Sequence, residues 1–275
     1  MNSKIALNFS IVKPCFLYIP FILTIAFVAF LASLNALCPA RYIEIQKDSF
    51  FYINHFLGQY PNLQINFTQL GDALLFLSLL SIFIVYAPAM WESLVSASIV
   101  SLIVSYLLKQ LFSVPRPAAV FDPHSFIITG ERLAGHHSLP SGHTITIFTT
   151  FTILLYAFMP AALLKRVLWY FLIFAISYIV AFSRVGVGAH YPLDVVSGSI
   201  TGYFCGLSGI LLNQKLKVWT WIGNKKFYPV FLVLFIGSVV DIIIKITQYN
   251  LAIYYLSIFC LIVSLVITTR IYVKK

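Results

Sequence analysis

Long apolar runs, separated by short polar segments, set the pattern of this chain. A helix needs about 20 apolar residues to cross the hydrocarbon core of a bilayer. By that measure the pattern predicts eight spans, over 16–37, 71–89, 92–112, 143–164, 167–183, 192–213, 228–246 and 250–270. The first run, from Phe16 to Leu37, exceeds the roughly 7–15 apolar residues of a signal-peptide core and reads as an uncleaved span. Between the first two spans, "DSFFYINHFLGQYP" puts Phe50, Ile53, Phe56 and Leu57 near one helical face. That fits a helix lying in the headgroup layer, or equally a connector packed on the bundle. Pro61, Asn62 and Gly71 are expected to break it before the second span.

Composition agrees with the pattern. Of 275 residues, 60% are hydrophobic and 9% charged, whereas soluble domains are nearer half apolar with about a quarter charged. The fold class expected is all-α, a polytopic transmembrane helical bundle. The net charge of +10 need not mean nucleic acid, because cytoplasmic loops of membrane proteins collect Lys and Arg. With the N-terminus inside, eleven of the eighteen basic residues fall on inner segments: Lys4, Lys13, Lys165, Arg166, Lys215, Lys217, Lys225, Lys226, Arg270, Lys274 and Lys275. Both termini are therefore expected in the cytoplasm. The cysteines (Cys15, Cys38, Cys205, Cys260) make no CxxC pair and imply neither a disulfide framework nor a metal site.

Lys109, Arg116, Arg132 and Arg184 fall at outer helix ends or in outer loops, where the charge bias argues against them. Three of these cations belong to polar clusters that share the outer face: "KQLFSVPRP" from Lys109, "LPSGHT" from Leu139 and "SRVGVGAHYPLD" from Ser183. Their chemistry is coherent. Lys109, Arg116 and Arg184 offer cationic donors suited to phosphate oxygens. Ser141 and Gly142 precede a helix start, where free backbone N–H groups and the helix dipole favour an anion. His143 and His190 are candidates for general acid and nucleophile. Asp194 lies one helical turn beyond His190 and can accept its ring N–H, orienting the imidazole.

The strings K-x6-RP, PSGH and SR-x5-H-x3-D are the signature motifs of the type 2 phosphatidic acid phosphatase (PAP2) superfamily, which this chain resembles at every motif position. The resemblance covers roughly 16–213. It implies a six-helix catalytic membrane domain (1–213), with the basic loop and two extra C-terminal helices (214–275) as an addition. It further implies a metal-independent phosphatase without cofactors, in which the residue matching His190 attacks phosphorus and forms a phosphohistidine. The match to Asp194 assists it, and the match to His143 protonates the leaving oxygen. Residues matching Lys109, Arg116, Ser141, Gly142 and Arg184 hold the phosphoryl oxygens.

The reading that follows is a bacterial inner-membrane enzyme with a periplasmic site. Its substrate is a lipid phosphate such as lipid A, undecaprenyl pyrophosphate or a phosphoglycerolipid. Two alternatives stand beside it: a phosphotransferase with a lipid acceptor, and a non-catalytic phospholipid binder or transporter. His136 and His137 read as lining a headgroup entrance or as simply solvated, rather than as metal ligands, since no Cys or carboxylate completes a set with His143. Asp122, His124, Glu131 and Arg132 read as loop polarity. Asp72 reads as a helix cap, Glu92 as structural, and Asp241 with Lys245 as an i,i+4 pair.

Overall fold

The computed structural model describes residues 1–274. The elements in chain order are α1 (Asn2–Ser10), α2 (Tyr18–Ser33), α3 (Pro39–Glu44), α4 (Lys47–Gly58), α5 (Pro61–Gln69), α6 (Ala73–Leu79), α7 (Phe83–Tyr86), α8 (Pro88–Phe112), α9 (Pro117–Val120), α10 (Gly142–Ala157), α11 (Leu163–Gly186), α12 (Pro192–Leu216), α13 (Tyr228–Gln248) and α14 (Ala252–Val273). The chain is an all-α, multi-pass membrane protein, with no strand among the described residues. Six helical stretches are long and apolar enough to cross a bilayer: Pro14–Ser33, Pro88–Val120, Leu163–Gly186, Pro192–Leu216, Lys225–Gln248 and Ala252–Val273.

Two of the eight expected spans differ in form. The fourth is the shorter helix α10, 16 residues long, or about 24 Å at the α-helical rise. It is apolar on all sides and buried almost throughout, as a helix surrounded by protein must be. Its C-terminal carbonyls are not left bare: the Asn8 side-chain amide donates to Ala157 O at 3.0 Å and Met159 O at 3.2 Å. The second span is broken into α6 and α7. Inside a bundle, freed backbone groups need partners within the protein. The indole of Trp91 donates to Leu80 O at 3.1 Å, and the Ser81 hydroxyl pairs with that of Ser264 at 2.7 Å.

The closest packing joins α10 to α12. Gly198, Gly202 and Gly206 form a stripe at four-residue spacing on α12, the small-residue seam that lets membrane helices approach closely. A methyl on Gly202 would sit 2.6 Å from Ile145 O, and one on Gly206 2.6 Å from Thr152 Cβ. The two helix starts are tied directly, since Ser141 N–H donates to Asp194 O at 3.1 Å. Two of the motif clusters are joined in this way.

The 38–70 segment forms three helices, of which α4 and α5 pack on α11. The inward face of α4 is Phe50, Asn54 and Gly58; Phe56 is exposed. Phe50 sits among Phe121, Phe126 and Tyr191, and Asn54 donates to Ile127 O at 2.9 Å and Val185 O at 3.0 Å. This is the connector of the two expected forms, held by a buried amide that a headgroup-layer helix would not need. The run breaks as expected, α4 ending at Gly58, and Pro61 then opens α5, because a proline costs nothing at the first helical position. At the far end of the chain, α13 and α14 pack together and against α6.

Candidate functional site

The C-terminal ends of α8 and α11 and the N-terminal ends of α10 and α12 bring the three motif clusters to one place. Ser113 ends α8 in a left-handed turn at φ 46°, which redirects the chain so that Arg116 follows Lys109 onto the same face. Gly188, at φ +77°, makes the corresponding turn after α11. A side chain there would lie 2.7 Å from Ile127 O, so only glycine fits. The Arg184 carbonyl then accepts from Ala189 N–H at 3.0 Å and His190 N–H at 3.2 Å, fixing His190 beneath the turn.

His190 and Asp194 are both buried, with 1% and 0% of their surface exposed. The His190 Nδ1 edge faces Asp194 Oδ2 at 3.3 Å, and its Nε2 edge faces Arg116 Nη1 at 3.4 Å. The tautomer protonated on Nδ1 satisfies Asp194 and leaves the Nε2 lone pair pointing at the cations. Burial, then the charges of Arg116, Arg184 and Lys109, hold the His190 pKa well below its ordinary 6.5. A neutral ring is a competent nucleophile.

Arg184 is 5% exposed; its Nη1 donates to Thr68 Oγ1 at 2.6 Å, while its buried Nε has no acceptor. Such a donor calls for an anion. The Lys109 ammonium lies over Gly142, where a methyl would come within 3.0 Å of Nζ. Gly142 therefore makes room for the cation at the start of α10. Ser141 is the N-cap: its hydroxyl oxygen accepts from Thr144 N–H at 3.4 Å and Thr144 Oγ1 at 3.0 Å. Its contribution here is to shape the helix start, leaving the Gly142 and His143 amides as the first two of α10 without intrahelical acceptors. His143 is backed by Gly71, where a methyl would meet His143 Cβ at 2.4 Å.

Sequence reasoning missed three groups that hold the central pair. Tyr42 donates its hydroxyl to Asp194 Oδ1 at 2.8 Å, Ser138 donates to Oδ2 at 2.5 Å, and Thr68 holds Arg184. Ser138 stood two residues before Pro140 without a spacing signal; Tyr42 and Thr68 lie 152 and 116 residues from their partners. With Tyr191 N–H at 3.0 Å and the His190 ring, the Asp194 carboxylate receives four donors. Of the other polar residues, Asp72 caps α6 through Leu75 N–H at 3.1 Å, Glu92 accepts from Asn213 at 3.1 Å, and Asp122 closes a turn onto His124 N–H at 3.0 Å. Lys245 meets Asp241 at 3.2 Å and also Asp72 at 3.0 Å.

Two cavities reach the site. One, of about 640 Å³, is an apolar groove between α6, α8 and α10, ending at Lys109, Gly142 and His143. The other, of about 340 Å³, opens over His143 and Arg184 on the side of α5 and α13.

Known proteins agree with the motifs. Residues 90–218 match the PAP2 superfamily. The chain is 33% identical over 129 residues to the Escherichia coli (strain K12) protein described as "Putative undecaprenyl-diphosphatase YbjG", an alignment covering 44% of this chain and 59% of that protein. It is 24% identical over 179 residues to the bacitracin transport permease protein BcrC of Bacillus licheniformis, covering 63% of this chain and 83% of that one. The crystal structure of Aquifex aeolicus LpxE superposes on 61% of this chain and 95% of its own with a TM-score of 0.49 and 25% identity. The matched segment, residues 90–218, carries all three motif clusters.

Proposed function

We propose that this protein is an integral-membrane lipid phosphatase that works through a phosphohistidine. The observation that carries the reading is the polarised His190 ring, with Asp194 on Nδ1 and the Arg116 guanidinium on Nε2. In this scheme the phosphoryl group rests among Lys109, Arg116, Arg184 and the first amides of α10. Nε2 attacks phosphorus, the bond from phosphorus to the lipid oxygen breaks, and His143 gives that oxygen its proton. His143, now a base, takes a proton from water, whose oxygen attacks the phosphohistidine; inorganic phosphate leaves and His190 is restored. Phosphoryl transfer asks mainly for positioning and charge neutralisation. Three cations meet that need, and the scheme routes no step through a metal ion.

The apolar groove beside Lys109 and His143 supports a substrate whose chain stays in the bilayer while its phosphate enters sideways. The bundle end opposite the site carries Lys13, Lys165, Arg166, Lys215 and Lys226, which supports a bacterial inner membrane with the termini cytoplasmic and the site periplasmic. The test is phosphate release from lipid phosphates by purified protein in detergent containing chelator. Release that His190→Ala abolishes supports the reading; full activity in that variant overturns it.

A further inference from the structure

The smaller cavity has two unlike walls. On one side stand His143 and Arg184. The opposite side is built partly by Lys245, Gln248 and Tyr249, which lie at the outer end of α13 and beyond residues 90–218. Lys245 looks at first like a further phosphate ligand. Its ammonium is already engaged by Asp72 at 3.0 Å and Asp241 at 3.2 Å, and Glu131 lines the same cavity. One ammonium therefore stands against three carboxylates. The remaining polar lining is uncharged and includes Gln69, Gln248, Thr129 and Tyr249.

We infer that the C-terminal hairpin α13–α14 is a headgroup-selecting wall, and that the cavity takes an uncharged, hydroxyl-bearing group attached to the scissile phosphate, a sugar or polyol. The inference rests on the lipid phosphatase reading and sharpens it. Amides and hydroxyls both give and accept hydrogen bonds, which matches hydroxyl groups on the ligand. A second phosphate placed there would meet the Glu131 carboxylate and a lysine whose charge Asp72 and Asp241 already offset, and like-charge juxtaposition is an effective way to reject a competitor. Positive charge is concentrated instead on the scissile-phosphate side, at Lys109, Arg116 and Arg184.

The experiment compares kcat/KM of the full chain in detergent on three probes: a phosphoglycolipid bearing its phosphate on a sugar hydroxyl, a polyprenyl diphosphate, and phosphatidate. The expected order puts the phosphoglycolipid above the diphosphate by about tenfold or more, the worth of one or two good hydrogen bonds. Gln248→Ala should lower the phosphoglycolipid rate about tenfold and leave phosphatidate unchanged. Glu131→Gln with Asp241→Asn should narrow the gap to the diphosphate. A wild-type protein that cleaves the diphosphate as well as the phosphoglycolipid, or a Gln248→Ala variant that slows all three probes equally, overturns the inference and leaves the phosphatase reading standing. No phosphate from any probe overturns both.

Discussion

Tyr42 and Asp194 are joined by a 2.8 Å hydrogen bond across 152 residues of sequence. The phenol comes from a short helix outside the family's matched segment, and it ends on the carboxylate that orients His190. Both side chains are buried, at 2% and 0% exposure, so water cannot replace the bond. Tyr42→Phe keeps the packing and removes one donor. Kcat for phosphate release is expected to fall about tenfold with KM little changed, the worth of a hydrogen bond to a charged group. An unchanged kcat would show that the bond does not matter to His190.

Ser138→Ala tests the other carboxylate oxygen. Its hydroxyl donates to Asp194 Oδ2 and lies 3.5 Å from His190 Nδ1. Kcat is expected to drop about tenfold again. In the double variant with Tyr42→Phe the losses should not add, because both act through one carboxylate.

The pH dependence follows from the burial of His190. Its folded pKa lies well below 6.5, while the unfolded chain titrates near 6.5. The neutral ring persists below pH 6.5, so the acid limb of the kcat/KM profile is expected beneath that value. Stability follows the same sign. Between the two pKa values the unfolded state binds more protons, so the contribution is present above pH 6.5 and lost as pH falls through the folded value. Thermal unfolding in detergent across that range should show it, and His190→Gln should remove that part of the decline. An acid limb at or above pH 6.5 would contradict the burial argument.

The α10–α12 seam predicts a contrast between two glycines. Gly202→Ala puts a methyl 2.6 Å from Ile145 O, a backbone atom that cannot step aside, and should destabilise by about 1–3 kcal/mol. Gly237→Ala on α13 meets nothing within 4 Å and should leave stability unchanged or slightly raised. Detergent melting curves of the two variants decide the matter; equal curves would mean that the seam is loose.

Trp91→Phe addresses the broken second span. It removes the donor to the Leu80 carbonyl and leaves a buried acceptor bare, at a cost of about 1–3 kcal/mol. The same melting assay measures it.

The motif strings were legible in the sequence because each is short and keeps its residues at or beside helix ends: His190 lies two residues before α12 and four before Asp194, and Ser141 and Gly142 open α10. The membrane class was legible from apolar run length. The interruption at Leu80–Ile82 was not, since "LLFLSLLSIFIVY" is apolar but for Ser78 and Ser81 and holds no Gly or Pro, and only tertiary partners such as Trp91 and Ser264 make a break tolerable. The inward face of α4 was misjudged at Phe56 because its anchor is the polar Asn54, which a search for an apolar stripe passes over. Tyr42, Ser138 and Thr68 were invisible because their meaning lies wholly in contacts between distant segments. Lys245 was seen as one half of a local pair, whereas its shorter contact is to Asp72, 173 residues earlier.

That last separation bears on when the protein becomes whole. Gly71, which stands behind His143, and Asp72 next to it precede the three motif clusters in the chain, yet the ammonium that secures Asp72 and the hydroxyl that meets Ser81 follow them, on α13 and α14. The catalytic strings are all in place by residue 194. Helices α13 and α14 follow all three, so a nascent chain holds the motif clusters before it holds these partners.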